Sequence, residues 1–178
     1  MSKHTFILAD ENLNSYGYRL LMSGANLDRF KANPVALFNH KDWGPDYTGP
    51  IGQWENIRVE GGQLKGDFTP DNEDEFAAKI AGKVDRGILK GASVGVNIIS
   101  YSEDPEVMLQ GQKYPTVTEW EVFEASVVDI PSSPGALRLC YNGEDIIVKS
   151  ESDVLKLGFS STKTTQKQED TMEFPENI

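Results

Sequence analysis

The run Lys90-Gly91-Ala92-Ser93-Val94-Gly95-Val96-Asn97-Ile98-Ile99 alternates apolar with small or polar residues, which is the period of a half-buried β-strand. One face would carry Ala92, Val94, Val96 and Ile98, and the other Ser93, Gly95, Asn97 and Ile99. Gly91 and Gly95 have no side chain to hold a neighbouring backbone away, so the Ser93 hydroxyl lies where another chain can approach closely. Taken alone, the run reads as a glycine-punctuated core strand in which Ser93 is one more small residue. What singles out Ser93 as a candidate nucleophile lies elsewhere in the chain.

Working outward, Ser102 to Pro115 is polar and reads as a long hairpin loop, and Thr116 to Ile130 as a second long strand stopped by Pro131-Ser132-Ser133-Pro134-Gly135, where two prolines forbid continued pairing. Before the opening run stands the strongest helix pattern, expected over about 73–86. Phe76, Ile80 and Val84 recur at i, i+4 and i+8 with Ala77 and Ala81 beside them, and Asn72 and Glu75 have capping-box spacing. Ile51 to Val59 and Leu64 to Phe68 form an expected hairpin closed by Glu60-Gly61-Gly62-Gln63, with Trp54 on its inner face.

Further upstream, Thr5 to Ala9 and Tyr16 to Met22 read as short β segments, and Asn26 could cap a turn or two of helix through Leu27, Phe30 and Lys31. Pro34 to His40 is an apolar run ending on a histidine, and Lys41 to Pro50 is a Gly/Pro-rich loop. Leu137 to Tyr141 is a short helix or strand, and Asp145 to Lys149 a last strand. The expected architecture is α+β or mainly β: a small, mostly antiparallel β-barrel with flanking helices. Residues 1–150 form the domain and 151–178 a polar, flexible tail.

The chain has 178 residues, of which 38% are hydrophobic, enough for one domain with a core. A formal net charge of −11 without any basic stripe argues against nucleic acid as a partner. The opening residues run at once into Asp10 and Glu11, and no run approaches the roughly 18 apolar residues of a membrane span. A cytosolic chain with no membrane partner is the expectation. Cys140 is the single cysteine, which excludes an internal disulfide and a cysteine-based zinc site. Its apolar surroundings suggest a buried thiol.

Serine attacks well only when a base takes its proton, and histidine is the usual base. Of the two histidines, His4 lies in a terminal segment expected to be mobile, whereas His40 closes an apolar segment and opens a loop. A metal site of His40 with Asp42 and Asp46 lacks a further histidine or cysteine, so no metal and no cofactor are expected. A triad also needs a group that orients the imidazole. Within Glu119 to Ile130, alternation places Glu124 with Ser126 and Val128, and Glu119, Glu121 and Asp129 with Phe123 and Val127. Glu124 is the acid nearest the middle of the apolar run and so the one most in need of a partner. A solvated strand face accounts for Glu119 and Glu121.

Four segments, Asn33 to His40, Pro50-Ile51-Gly52, Gly87 to Val96 and Phe123 to Pro131, fall in the order and spacing of the tailed-phage prohead maturation protease family, which this chain resembles over about residues 5–140. The resemblance implies a serine endopeptidase with the fold of the herpesvirus assembly proteases, a β-barrel surrounded by helices. Carried over, it makes His40 the general base and Ser93 the nucleophile. Its Glu-x-Ser stretch falls on Glu124 and Ser126, which makes Glu124 the third member, with Glu121 as runner-up. It also implies action inside the procapsid in the host cytoplasm, with the major capsid protein, the scaffold and the enzyme itself as substrates, and it leaves a homo-oligomer open. The alternative is a non-catalytic capsid-assembly or scaffolding module with the same fold. The chain departs from the commoner family pattern in carrying Pro131-Ser132-Ser133-Pro134 after the last strand, and in its 41–48 loop.

Overall fold

The computed structural model describes residues 4–14, 17–41, 44, 47–129, 137–141 and 144–146. Nine strands and two helices are described: β1 His4–Asp10, β2 Ala25–Asn26, α1 Asp28–Ala32, β3 Val35–Phe38, β4 Gly52–Glu60, β5 Gln63–Pro70, α2 Glu75–Asp85, β6 Gly91–Ser102, β7 Thr116–Val128, β8 Leu137–Tyr141 and β9 Glu144–Ile146. One sheet holds them in the order β1-β5-β4-β3-β7-β6-β8-β9, with β2 also on β7. It curls until β1 passes within 8 Å of β6. The chain is thus mostly β, as expected, and the sheet is a curled half-barrel, with no pairing between β1 and β6 among the described residues.

The β4–β5 hairpin turns on Gly61 and Gly62, both with positive φ (60° and 69°), the primed-turn geometry that matches strand twist and that glycine adopts without steric cost. The β6–β7 pair is antiparallel as expected, with Ser93 opposite Ser126 and Gly95 opposite Glu124. Inward from it lies the core, where Val94, Val96, Trp120, Val122, Ala125 and Val127 pack with Trp54, Phe68 and Leu64. The Trp54 indole N–H donates to the Ala125 carbonyl (3.0 Å) and ties β4 to β7. Helix α2 turns Ala77, Ile80, Ala81 and Val84 inward, and Phe76 meets Phe38 of β3 edge-on at 5.7 Å.

Several expectations change. Tyr16 to Met22 is not a strand in its described part. Tyr18, Leu20 and Met22 do alternate inward, but Gly17 takes φ +92° and only Leu20 bridges β7, at Val117. A 3₁₀ turn over Met22–Gly24 follows. His4 is held, not loose: it pairs with Phe68 across β1–β5, and its Nε2 meets Asp85 Oδ1 at 2.7 Å. Helix α2 is capped by Asp74, whose carboxylate accepts the Ala77 N–H (2.6 Å), while Asn72 donates to the Pro70 carbonyl instead.

Residues 137–141 form a strand, parallel to β6. The expected thiol of Cys140 falls on β8, where only strand pairing is described. Asp42, Asp46, Pro131 to Gly135, residues 147–149 of the expected last strand, and the 151–178 tail lie outside the described residues. Among the described residues, no helix is long and apolar enough to cross a membrane.

The parallel pairings matter most for the site. Strand β3 runs parallel to β7, with Ala36, Leu37 and Phe38 opposite Ala125, Ser126 and Val127. Strand β7 is therefore flanked by β3 on one edge and β6 on the other, each about 4.8 Å away.

Candidate active site

Side chains directly opposite one another on paired strands share a face, so Ser93, Gly95, Glu124 and Ser126 lie together on the face of β6–β7 turned away from the core. Simple alternation along β7 does not produce this arrangement. Trp120 and Val122 point into the core, opposite Ile98 and Val96, and so do Ala125 and Val127, opposite Val94 and Ala92. The parity changes between Val122 and Glu124 because β7 carries Phe123 as an extra residue where the register shifts. Such a bulge re-aims the side chains beyond it. It also corrects the expected faces: Glu121, opposite Asn97, falls on the same side as Glu124, and Val127 falls in the core.

Beyond Phe38 the chain leaves β3 through Asn39 and His40, which both adopt left-handed backbone (φ 55° and 57°). For a residue with a Cβ this costs about 1–2 kcal/mol. Hydrogen bonds to β7 hold the turn: Asn39 N–H donates to the Val127 carbonyl (3.0 Å), Asp129 N–H to Asn39 Oδ1 (3.1 Å) and His40 N–H to Ser126 Oγ (3.2 Å). The imidazole, with its side chain 24% exposed, is thereby brought over the end of β7, where Nδ1 meets Glu124 Oε1 at 2.5 Å. The other carboxylate oxygen, Oε2, accepts from Ser126 Oγ–H at 2.8 Å. A carboxylate only accepts, so His40 Nδ1 carries the hydrogen of this contact.

Glu124 is buried and fits because residue 95 is glycine. A Cβ at that position would stand 2.8 Å from Glu124 Oε1 and 2.9 Å from its Cγ. Glu121 is elsewhere, its Oε2 3.4 Å from Nη1 of Arg29 on α1.

Ser93 is fully buried (0% exposed), and among the described residues its Oγ has no hydrogen-bond partner, His40 included. Burying an unpaired hydroxyl costs about 1–3 kcal/mol. Arg19 Nε, Thr69 Oγ1 and Asn97 Oδ1 are buried in the same way without a partner among the described residues, so what distinguishes Ser93 is its place on the face of Glu124. The structure thus brings His40 and Glu124 into direct contact, sets Ser93 on the same face one strand over, and leaves Glu121 with another partner. Two parts of the arrangement went unread in the sequence: Asn39, as the side chain that pins the turn, and the role of Ser126. For Asn39 the signal was its residue type, which tolerates left-handed backbone; for Ser126 it was its place two residues after Glu124.

No protein-family model, no curated protein and no solved structure matches the chain.

Proposed function

We propose that this chain is a serine endopeptidase of the tailed-phage prohead maturation type, with a herpesvirus-protease-like fold, Ser93 as nucleophile, His40 as general base and Glu124 as the group that orients the base. The observation that carries the reading is the bond from His40 Nδ1 to the buried Glu124 carboxylate (2.5 Å), on the face that also bears an unpaired serine hydroxyl. An imidazole anchored through Nδ1 presents Nε2 as a base. In the reaction Ser93 Oγ attacks a peptide carbonyl carbon as its proton passes to Nε2. The tetrahedral intermediate collapses to an ester on Ser93 as that proton moves to the leaving amine. Water, deprotonated by the same Nε2, then attacks the ester carbon, and as the bond to Ser93 Oγ breaks the proton passes from Nε2 back to that oxygen. The substrates are the capsid protein, the scaffold and the enzyme itself, cleaved inside the procapsid in the host cytoplasm.

Complete burial of Ser93 means that covering atoms must move before a substrate carbonyl reaches Oγ. The same burial favours a second reading, a non-catalytic capsid-assembly module in which Ser93 is a small packing residue.

Co-expression with the major capsid protein and scaffold of the same genome separates the two. Ser93→Ala should abolish cleavage. Because it removes an unpaired buried hydroxyl, it should leave thermal stability unchanged or raised by about 1 kcal/mol. Cleavage that continues in Ser93→Ala refutes the nucleophile, and absence of cleavage in the unsubstituted chain as well would favour the assembly module.

A further inference from the structure

We infer that Ser126 is a positioning residue of this site: its hydroxyl holds the Glu124 carboxylate and the His40 backbone at once and so selects the imidazole tautomer. The inference rests on the endopeptidase reading for its effect on rate, but not for its geometry.

A serine hydroxyl has one proton to donate and lone pairs to accept with. At position 126 the proton goes to Glu124 Oε2 at 2.8 Å, and the oxygen accepts the His40 N–H at 3.2 Å. Its partner on β6 is Ser93 and its partner on β3 is Leu37, so it stands at the middle of the three strands that carry the site. Ser126 is fully buried, so bulk solvent has no access to these bonds. The two contacts act on different parts of one device. Anchoring Oε2 fixes the rotation of the carboxylate, which leaves Oε1 aimed at Nδ1. Anchoring the His40 N–H helps hold a backbone that β-region or helical geometry would otherwise relax. Remove the hydroxyl, and the carboxylate can turn while the left-handed pair loses one of its tethers. The proton on the imidazole is then free to reside on either nitrogen.

The test uses the full chain labelled with ¹⁵N-histidine, in alkaline solution where neutral imidazoles dominate. Long-range ¹H–¹⁵N correlations read each tautomer directly. Only His4 and His40 contribute, and His4→Gln assigns them. The unsubstituted chain should show His40 protonated at Nδ1 alone.

Ser126→Ala should show a mixture. Ser126→Cys, which fills the same space but donates weakly, should resemble the alanine variant and also serves should that variant fail to fold. In cleavage assays both should lose about 10- to 100-fold in kcat, the range for residues that orient a catalytic group, with KM within about threefold. A shifted tautomer in a chain that cleaves nothing supports the positioning role and counts against the endopeptidase. Folded variants that keep the single Nδ1–H tautomer overturn the role of Ser126, whatever they do to cleavage.

Discussion

Replacing Gly95 by alanine tests the geometry of the site without touching any group that reacts. The new Cβ would stand 2.7 Å from Phe123 Cζ, 2.8 Å from Glu124 Oε1 and 2.9 Å from Glu124 Cγ, inside the 3.0 Å that real Cβ atoms essentially never breach. The Phe123 ring tip can swing away cheaply, since that residue is only partly buried. Glu124 has no such freedom, being buried and bonded at both oxygens. It must withdraw by about 0.5 Å to reach ordinary contact, and that movement strains or breaks a hydrogen bond to a charged group worth about 1.5–3 kcal/mol. Against this, alanine in a strand interior gains about 0.5–1 kcal/mol over glycine.

The balance is a loss of about 1–2 kcal/mol, or about 2–8 °C in Tm for a domain of this size. Urea denaturation of the full chain, followed by tryptophan fluorescence, measures it. The sign carries the argument, because without the collision with Glu124 the substitution should stabilise. A double-mutant cycle sharpens it: in a Glu124→Ala background Gly95→Ala should change from destabilising to neutral or favourable, a coupling of more than about 1 kcal/mol. Equal effects in the two backgrounds would refute the reasoning.

Glu124→Gln should lower kcat by about 10³- to 10⁴-fold, as loss of the orienting carboxylate does in other triads, whereas Glu121→Gln, which disturbs only the partly exposed pair with Arg29, should change it less than about twofold; the opposite order would move the third role to Glu121. Away from the site, the exposed Glu60 carboxyl is held below its ordinary value, first by its hydrogen bond to Lys65, then by the charges of Lys65 and Arg58. Because the folded value is the depressed one, its small contribution to stability is present above the ordinary carboxylate range and is lost as pH falls through the folded value. Carboxyl NMR titration of Lys65→Ala should show Glu60 moving upward, and an unmoved Glu60 would count against Lys65 as the cause.

What the sequence disclosed follows from which interactions are local. The opening run, the glycine-closed hairpin and α2 each carry their pattern within a dozen residues, and each forms close to where that pattern places it. Tyr16 to Met22 shows the limit of alternation, since burying every second residue requires only that the segment lie along the core, not that it pair. The parallel contact of β3 with β7 had no such signal. No tight turn joins the two strands to set a register, and nearly ninety residues separate His40 from Ser126. Histidine, serine and glutamate could be nominated as residue types, but the path by which His40 reaches Glu124 could not be traced.

The bulge at Phe123 is where the two halves of the problem meet. Trp120 and Val122 need the core face, and so do Ala125 and Val127, yet an uninterrupted strand cannot serve both pairs because the first has even numbers and the second odd. One additional residue resolves the conflict, and it does so at the position where a carboxylate must be kept out of the apolar interior. Had the alternation that buries Trp120 and Val122 continued, Glu124 would have followed them inward among apolar side chains, at a cost of several kcal/mol. Beyond the bulge it faces the opposite way, where the side chain of His40, the hydroxyl of Ser126 and the empty space over Gly95 receive it. The same parity change sets Ser126 opposite Ser93, so a single inserted residue aligns the carboxylate, its anchoring hydroxyl and the candidate nucleophile on one face.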